Sequence, residues 1–333
     1  MDRCVSETCE AIGGPRGRDL LRVMRKVYYG THHDGALPDE VRGGVQVAEA
    51  LGLLTRRGPW LMLTTPGYLV GNVAKEYCNW LDAGRRMPPP RPRPRYVEGK
   101  DVVDVGCSYG RWLWSFQQTA RSAVGIELQG EFIALGKALA RLEKVPPPRM
   151  LQGDAESVHE LLPGESADLV FSRLVFNAVT IDTALRSAAA CLRPGGVLWL
   201  QVEPFAHALG LLGRRRDWRR PKTVAHHAFA LGNSILVSAL GHQMRLRSPG
   251  RMHSVHRPAY PTMGRWRRAM HKAGLVGFRI EHDEQGLLAF SARKPPCAAV
   301  SAPDDAGGGA APWWRRSRPG RRNGAGGSLK LVE

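Results

Sequence analysis

The sequence lacks a run of apolar residues as long as a membrane-spanning helix needs, which is roughly 18–20 residues. The segment that comes nearest, AFALGNSILVSALG (Ala228–Gly241), is too short and contains an asparagine and two serines. The first residues, MDRCVSETCE, lack the apolar stretch of a secretory signal. These absences predict a protein that is neither membrane-spanning nor secreted. The chain of 333 residues, 43% hydrophobic, is long enough for a large core and two domains.

Cysteines are few, and their spacing matches no known framework. The six cysteines show neither Cys-X-X-Cys spacing nor pairing with histidines, so we expect no metal site and no disulfide framework. Free thiols are typical of a reducing compartment, which favours a cytoplasmic protein.

Acidic residues are almost absent from Phe205–Lys272. These 68 residues contain fourteen lysines and arginines and seven histidines, but only one acid, Asp217. The whole chain has a formal charge of +18. Such a segment indicates either an anionic partner (nucleic acid, a phosphate or carboxylate substrate, or a membrane surface) or a solvated arginine-rich surface.

Composition divides the chain into zones. Residues 1–17 form an N-terminal tail, and residues 18–86 read as helices with one hairpin. The segment MPPPRPRPR (Met87–Arg95) is a stiff linker, because repeated proline favours an extended conformation. Residues 96–295 alternate strand and helix patterns. Residues 296–333 are rich in Ala, Gly, Pro and Arg and are predicted to be disordered.

The second zone predicts a helix, a small hairpin and a second helix. Asp39–Leu53 has apolar residues at helical spacing, Leu54–Leu63 reads as two strands around a Gly-Pro turn, and Thr65 can cap the next helix. This order resembles a winged-helix unit, and ALGLLTRRGPWLMLTTPGYLV resembles the unit that precedes the catalytic domain of many small-molecule O-methyltransferases. The resemblance implies a role in dimerisation or in covering the active site. DNA binding is the alternative, but Arg42 is the only base on its candidate recognition helix.

Strands and helices alternate regularly through the fourth zone. The predicted strands are Asp101–Val105, Ala123–Glu127, Arg149–Gln152, Asp168–Ser172, Gly196–Val202, Gly277–His282 and Leu287–Ala292. The predicted helices are Gly110–Thr119, Glu131–Leu142, Ala155–Leu162, Ile181–Leu192 and Thr262–Ala273. This alternation predicts an α/β fold, a Rossmann-like and mainly parallel seven-stranded sheet with helices on both faces. Ligands of such sheets bind at the carboxyl ends of the strands.

Three signals lie at predicted strand ends. The first strand leads into GCSYG, where glycine permits a tight turn and close approach of a ligand. Glu127 ends the second strand about 20 residues later, which suits hydrogen bonds to ribose hydroxyls. Asp154 follows the third strand in LQGDAE, and the fifth strand follows LRPGG. Each signal has an alternative, because Asp154 can cap a helix and Glu127 can be a plain strand-end charge.

The ordered set resembles the class I S-adenosylmethionine-dependent methyltransferases, of the group that includes ubiquinone-biosynthesis enzymes. The similarity spans about Tyr96–Pro204 and extends to about Arg293. It implies S-adenosylmethionine as cofactor and these binding residues: Asp104, Gly106, Cys107, Ser108 and Gly110 around the methionine part, Glu127 at the ribose, Leu128, Asp154 and Ala155 at the adenine, and Ser172 and Arg173 beside the methyl group. Ser108 stands where glycine is commoner, and Cys107 reads as a packed residue, not a nucleophile.

Methyl transfer from a sulfonium needs positioning more than acid–base chemistry. A base matters for a hydroxyl or acidic carbon acceptor. The candidates are His226 and His227 in KTVAHHAFALG and Glu203 at the end of the fifth strand, with a structural role as the alternative for each.

The acceptor is less well defined by the sequence. The fourth strand ends in SRLVFN, not in the Asn/Asp-Pro-Pro-aromatic motif of enzymes that methylate base amino groups, and no Pro-Cys nucleophile is present. A segment of about Phe205–Pro261 stands where this family often builds a substrate lid. We therefore expect methylation of a small molecule, with O-methylation favoured, an anionic acceptor as one option, and a homodimer as one assembly. The alternatives are an RNA or protein methyltransferase that uses the basic segment, and a non-catalytic winged-helix regulator.

Overall fold

The computed structural model describes residues 3–30, 32–213, 221–244, 246–247, 255–256, 258–284 and 287–296. Its helices are α1 (Arg3–Gly13), α2 (Gly17–Tyr28), α3 (Asp39–Ala50), α4 (Thr65–Asp82), α5 (Arg111–Phe116), α6 (Gly130–Glu143), α7 (Val158–Leu161), α8 (Ile181–Cys191), α9 (Phe205–Leu212), α10 (Pro221–Leu240) and α11 (Met263–Lys272). Its strands are β1 (His32–His33), β2 (Leu54–Arg57), β3 (Trp60–Leu63), β4 (Asp101–Val105), β5 (Ser122–Glu127), β6 (Met150–Gln152), β7 (Ala167–Arg173), β8 (Leu192–Val202), β9 (Leu246–Arg247), β10 (Val255–His256), β11 (Val276–Glu284) and β12 (Leu287–Arg293).

A seven-stranded sheet forms the centre of the fold, in the order β11-β12-β8-β7-β4-β5-β6. The five strands from β4 to β8 are parallel to their neighbours, whereas β12 runs antiparallel to β8 and to β11. The predicted mainly parallel α/β fold is therefore confirmed. The chain moves outward from β4 through β5 to β6 and then returns to β7 on the other side of β4. This reversal is a topological switch point, where such sheets bind ligands.

The two faces of the sheet pack into two different cores. Val102 of β4 belongs to one core, and Val103 and Val105 belong to the other. Successive side chains of a strand point to opposite faces, so each face needs its own helical cover. On the Val102 face, Phe171 stacks on Trp199 at 5.1 Å between ring centroids and contacts Trp112 at 4.9 Å. We call this side of the sheet the aromatic face.

The predicted helix, hairpin and helix of the N-terminal region are present as α3, β2, β3 and α4. A short strand, β1, adds to the hairpin in the order β1-β3-β2. The helix cap lies one residue earlier than predicted: Thr64 is the cap, and its Oγ1 accepts from the Gly67 backbone N–H at 3.2 Å, while Thr65 is already helical. The classification of this region as a winged-helix unit stays a prediction.

The predicted N-terminal tail is wrong as a description of residues 3–13, which form α1. Val5, Cys9 and Ile12 of this helix are buried. Arg141 of α6 donates to the backbone carbonyl of Cys9 at 3.1 Å. The helix forms because its apolar side is covered by α6 and by the core on the aromatic face, which a sequence window of mostly polar residues does not reveal.

The N-terminal region and the sheet belong to one compact unit, residues 1–297. Trp80 of α4 stacks on Trp114 of α5 at 5.6 Å. The predicted linker does not behave as a free spacer, because Met87 is buried and Arg93 forms an ion pair with Glu281 at 2.8 Å. As a result, α4 and the linker are held against the aromatic face, beside the end of β4.

The predicted lid segment contains α9 and α10. Ala230 of α10 packs in a small cluster with Ala208 and Tyr260. By length and composition alone, α10 is the one helix of the described residues that could cross a membrane, with a mean hydropathy of 1.2 over its 18-residue window and 28% of that window buried. A helix of this length was not expected from the sequence, because it starts at Pro221, before the apolar run that begins at Ala228. Arg214, Arg215 and Arg216 of the basic segment lie outside the described residues, as do residues 297–333 of the predicted disordered tail.

Candidate functional site

The turn after β4 is built on left-handed backbone. Gly106 has φ +76°, Ser108 +53° and Gly110 +85°. A Cβ on Gly106 would lie 2.1 Å from a methyl carbon of Val175, so no larger residue fits there without movement. Ser108 adopts a backbone conformation that residues with a side chain rarely adopt, which explains why glycine is commoner at this position of the turn. The turn is thus held by close packing, with Val175 against Gly106 and Pro148 against Gly110.

Glu127 at the end of β5 holds this turn in place. Its Oε2 accepts from the Ser108 backbone N–H at 2.8 Å, and its Oε1 accepts from the Gln129 N–H at 3.0 Å. The residue is 7% exposed. Each carboxylate oxygen has two lone pairs, so Glu127 can also accept from ribose hydroxyls, as the resemblance implies. Glu127 is therefore not only a charge at the end of a strand. Its carboxylate stabilises the turn, and it lies at the position predicted to bind the ribose.

Asp104 lies under the turn, on the aromatic face. It is 2% exposed, and its Oδ2 is buried without a hydrogen-bond partner among the described residues. Burial, with a further contribution from the Glu127 charge, raises the pKa of Asp104 to about 8. A buried acid with an unused oxygen fits a ligand that brings a cation or a donor. The ammonium and sulfonium groups of S-adenosylmethionine have this character, so the residues present fit the expected cofactor.

The predicted adenine residues line the next strand end. Leu128 is 53% exposed, whereas Ala155 is buried. Asp154 is exposed, and its Oδ1 accepts from the Glu156 backbone N–H at 2.9 Å, so it closes a local turn but does not cap α7. Its second oxygen can accept from an adenine amino group, and that role stays a prediction.

Two of the predicted residues are engaged in packing. Burial raises the pKa of the Cys107 thiol well above its ordinary value, which fits the prediction of a packed residue and not a nucleophile. Ser172 is 1% exposed, and its hydroxyl donates to the Val105 carbonyl at 2.7 Å. Its hydroxyl therefore joins β7 to β4, and its place beside the methyl group stays a prediction.

Arg173 is at the predicted position, and it has neighbours that sequence reasoning missed. Its Nε donates to Oε1 of Gln201 at 2.7 Å. Arg173 and Gln201 are register partners at the ends of β7 and β8, two residues beyond Phe171 and Trp199 on the aromatic face. Arg111 at the start of α5 is the third member, and it lowers the pKa of Arg173 in addition to the larger effect of burial. Strand alternation in ADLVFSR and VLWLQV could have identified Gln201.

A pocket of about 530 Å³ opens beside these arginines. Its walls come from α4, from the linker, from the start of α5 and from the end of β7; they include Lys75, Glu76, Asn79, Met87, Arg111 and Arg173. A second pocket of about 400 Å³, between Trp80, Trp114 and Val145, contains none of the predicted site residues. Among the described residues no group of His, Cys, Asp and Glu could hold a metal ion.

The predicted bases are not gathered at one point. Glu203 follows β8, with its backbone N–H bonded to Asn177 at 2.9 Å and its Oε1 3.5 Å from Nε2 of His207. His226 and His227 lie on α10 with ring centroids 6.1 Å apart, and His227 is buried. Within the described ranges no hydrogen bond or ion pair joins His227 to Glu203 or to the glycine turn. Glu203 is thus the predicted base that the fold places at the strand ends.

Comparison with known proteins supports the resemblance. Residues 103–200 match the family model described as a methyltransferase domain. A tRNA U34 carboxymethyltransferase from Pseudoalteromonas translucida (strain TAC 125) is 27% identical over 169 residues, which are 50% of this chain and 49% of that protein. The chain thus spans about half the length of the curated relative that it matches.

Solved structures with low sequence identity are also similar. An S-adenosylmethionine-dependent methyltransferase from Mesorhizobium loti is 19% identical, with a TM-score of 0.39 over 64% of this chain and 97% of that one. One from Aquifex aeolicus is 13% identical, with a TM-score of 0.38 over 60% and 84%. These two structures are similar to part of this chain, and no assignment follows from them.

Replacing Glu127 by Gln should weaken binding of S-adenosylmethionine. The Gln amide has one oxygen in place of two, so one backbone N–H of the turn or one ribose hydroxyl loses its acceptor. A hydrogen bond to a charged group contributes about 1.5–3 kcal/mol, which corresponds to roughly ten- to a hundredfold in affinity. Titration calorimetry measures the effect, with the exposed Glu160→Gln as control. Asp154→Ala, at an exposed site, should also weaken binding. Wild-type affinity in both variants would contradict the site.

Stability should fall as pH rises in the cofactor-free protein. The pKa of Asp104 is about 8 in the folded state, so between about pH 4 and 8 the folded chain keeps a proton that the unfolded chain releases. Raising pH therefore favours unfolding, by about 1.4 kcal/mol per pH unit, and the slope ends above pH 8. Urea unfolding at pH 5.5, 6.5 and 7.5 should show this slope in wild type and in Asp39→Asn. The slope should disappear in Asp104→Asn; an identical slope there would refute the assignment.

Proposed function

The chain carries a class I S-adenosylmethionine-dependent methyltransferase domain, and we propose that it transfers the methyl group to a small molecule that binds in the pocket between α4, the linker and Arg173. The observation that carries the proposal is the position of this pocket. Its lining includes Arg173 at the end of β7 and Arg111, the residue that directly follows the glycine turn. A pocket of this volume suits a small ligand.

The N-terminal region supports a covered site. The stack of Trp80 on Trp114 and the burial of Met87 hold α4 and the linker over one side of the pocket. Such a cover excludes water and fixes the acceptor relative to the cofactor. Positioning of two reactants contributes roughly 7–11 kcal/mol in favourable cases, so it can supply most of the catalysis.

O-methylation is the reaction that we favour. Its support is the resemblance of the helix, hairpin and helix region to the unit that precedes O-methyltransferase domains. A hydroxyl acceptor needs a base, and Glu203 is the candidate at the strand ends. Its neighbour His207, at 3.5 Å, can pass the proton onward. His226 and His227 stay candidates of lower rank, because their helix α10 packs against α9 and not against the turn.

Modification of tRNA is a second candidate. Its support is the curated relative, whose name describes action on tRNA, together with the formal charge of +18. A polycation binds the phosphate backbone, and its affinity falls steeply with salt. The regulator without catalysis has no such support. Cytoplasmic location, absence of a membrane contact and a homodimer belong to the proposal as well.

The identity of the acceptor can be tested with labelled cofactor. The purified protein is incubated with deuteromethyl-labelled S-adenosylmethionine and, separately, with two fractions of one cell extract. One is the small-molecule fraction after nuclease treatment, and the other is total tRNA. Mass spectrometry should find the label in a small molecule, and Glu127→Gln should reduce its yield. Label in tRNA alone would support the second candidate, and label in neither fraction would contradict both.

A further inference from the structure

We propose that Arg111, Arg173 and Gln201 form an anion-binding subsite, which holds a carboxylate or phosphate group of the methyl acceptor. This inference depends on the proposed function, which names the methyl acceptor as the molecule that carries the anionic group. It differs from the earlier expectation that the arginines of the Phe205–Pro261 segment attract the substrate.

Arg173 is a positioned and incompletely paired cation. Its Nε bond to Gln201 fixes the plane of the guanidinium, while its terminal nitrogens have no partner in the described part of the chain. Burial, and then repulsion from Arg111, lower its pKa. A guanidinium that is desolvated and held at one edge presents its other edge to a ligand. This fork geometry matches the two oxygens of a carboxylate or phosphate.

Arg111 and Gln201 add unused donors at the same place. Arg111 is 8% exposed, and its Nε is buried without a partner, as is Nε2 of Gln201. The bonds of Arg111 to Glu76 are long, at 3.4 Å both to the carboxylate and to the backbone carbonyl. Buried donors without partners are costly in a folded protein, so these two donors indicate a missing acceptor.

The local charge balance favours an anion as that acceptor. The acids near the buried guanidinium group of Arg111 and the half-buried one of Arg173 are Asp104 and Glu76. In the cofactor-free protein burial raises the pKa of Asp104 to about 8, and in the loaded protein Asp104 faces the cation of the cofactor, so in both states Glu76 alone opposes the two cations. Lys75, Arg86 and Arg91 also line the pocket, and they raise the local concentration of anions before binding.

The cofactor has a carboxylate of its own, and it is the competing source of the same chemistry. The order of the strands favours the acceptor. Arg173 and Gln201 extend from β7 and β8, on the far side of β4 from Glu127, whereas the resemblance places the methionine part along the turn after β4. An acceptor anion on Arg173 would therefore lie beyond the methyl group, where it orients the nucleophile.

Two titrations on the full-length protein separate these sources. The first adds S-adenosylhomocysteine to wild type, to Arg173→Gln and to the exposed control Arg186→Gln. The second adds inorganic phosphate, at constant ionic strength, to the same proteins saturated with S-adenosylhomocysteine, and follows the thermal midpoint. Arg173→Gln should bind S-adenosylhomocysteine within about twofold of wild type and should bind phosphate about tenfold more weakly. Arg173→Lys should recover part of the phosphate affinity.

Other outcomes overturn the subsite. If phosphate does not stabilise the saturated wild type, or if Arg173→Gln and Arg186→Gln respond to it equally, the arginines do not form an anion site. If Arg173→Gln loses affinity for S-adenosylhomocysteine instead, the subsite belongs to the cofactor carboxylate. The proposed function fails separately, because phosphate binding through Arg173 can persist in a protein that methylates no small molecule.

Discussion

The carboxylate of Glu127 is the interaction on which the site depends. One oxygen accepts from the Ser108 N–H and the other from the Gln129 N–H, so a single side chain ties the end of β5 to the turn after β4. The turn needs this support because Ser108 is held in the left-handed region, which costs energy for a residue with a side chain. In the proposed function, the same residue also accepts from the cofactor through its remaining lone pairs. Structure and binding are therefore coupled at one carboxylate.

Buried charge at the strand ends is the second constraint. Asp104, Arg111 and Arg173 lie in a desolvated cluster over the aromatic face, and the cluster is not satisfied internally: an acid oxygen and a guanidinium nitrogen have no partners in the described part of the protein. Such groups are expensive in a finished core and useful in a binding site. A cationic cofactor next to Asp104 and an anionic acceptor next to Arg173 would complete the cluster from both sides.

Much of the fold could be predicted from the sequence, because strand patterns, glycine turns and strand-end acids are local signals. The seven strands and the position of Glu127 follow from them. Helix α1 could not be predicted, because its burial depends on a distant partner, α6. Alternation along each strand indicates which residues share the aromatic face. The contact between Arg173 and Gln201 could not be predicted in this way, because it depends on the register between β7 and β8. Arg111 was passed over because a charged residue at a helix start normally reads as solvated surface.

A crystal structure of the complex with S-adenosylhomocysteine tests the account most directly. It should place the ribose hydroxyls within hydrogen-bond distance of Glu127 and the amino group near Oδ2 of Asp104. The terminal nitrogens of Arg173 should then face the pocket without touching the cofactor. A homocysteine carboxylate on Arg173, or a ribose away from Glu127, would contradict the account.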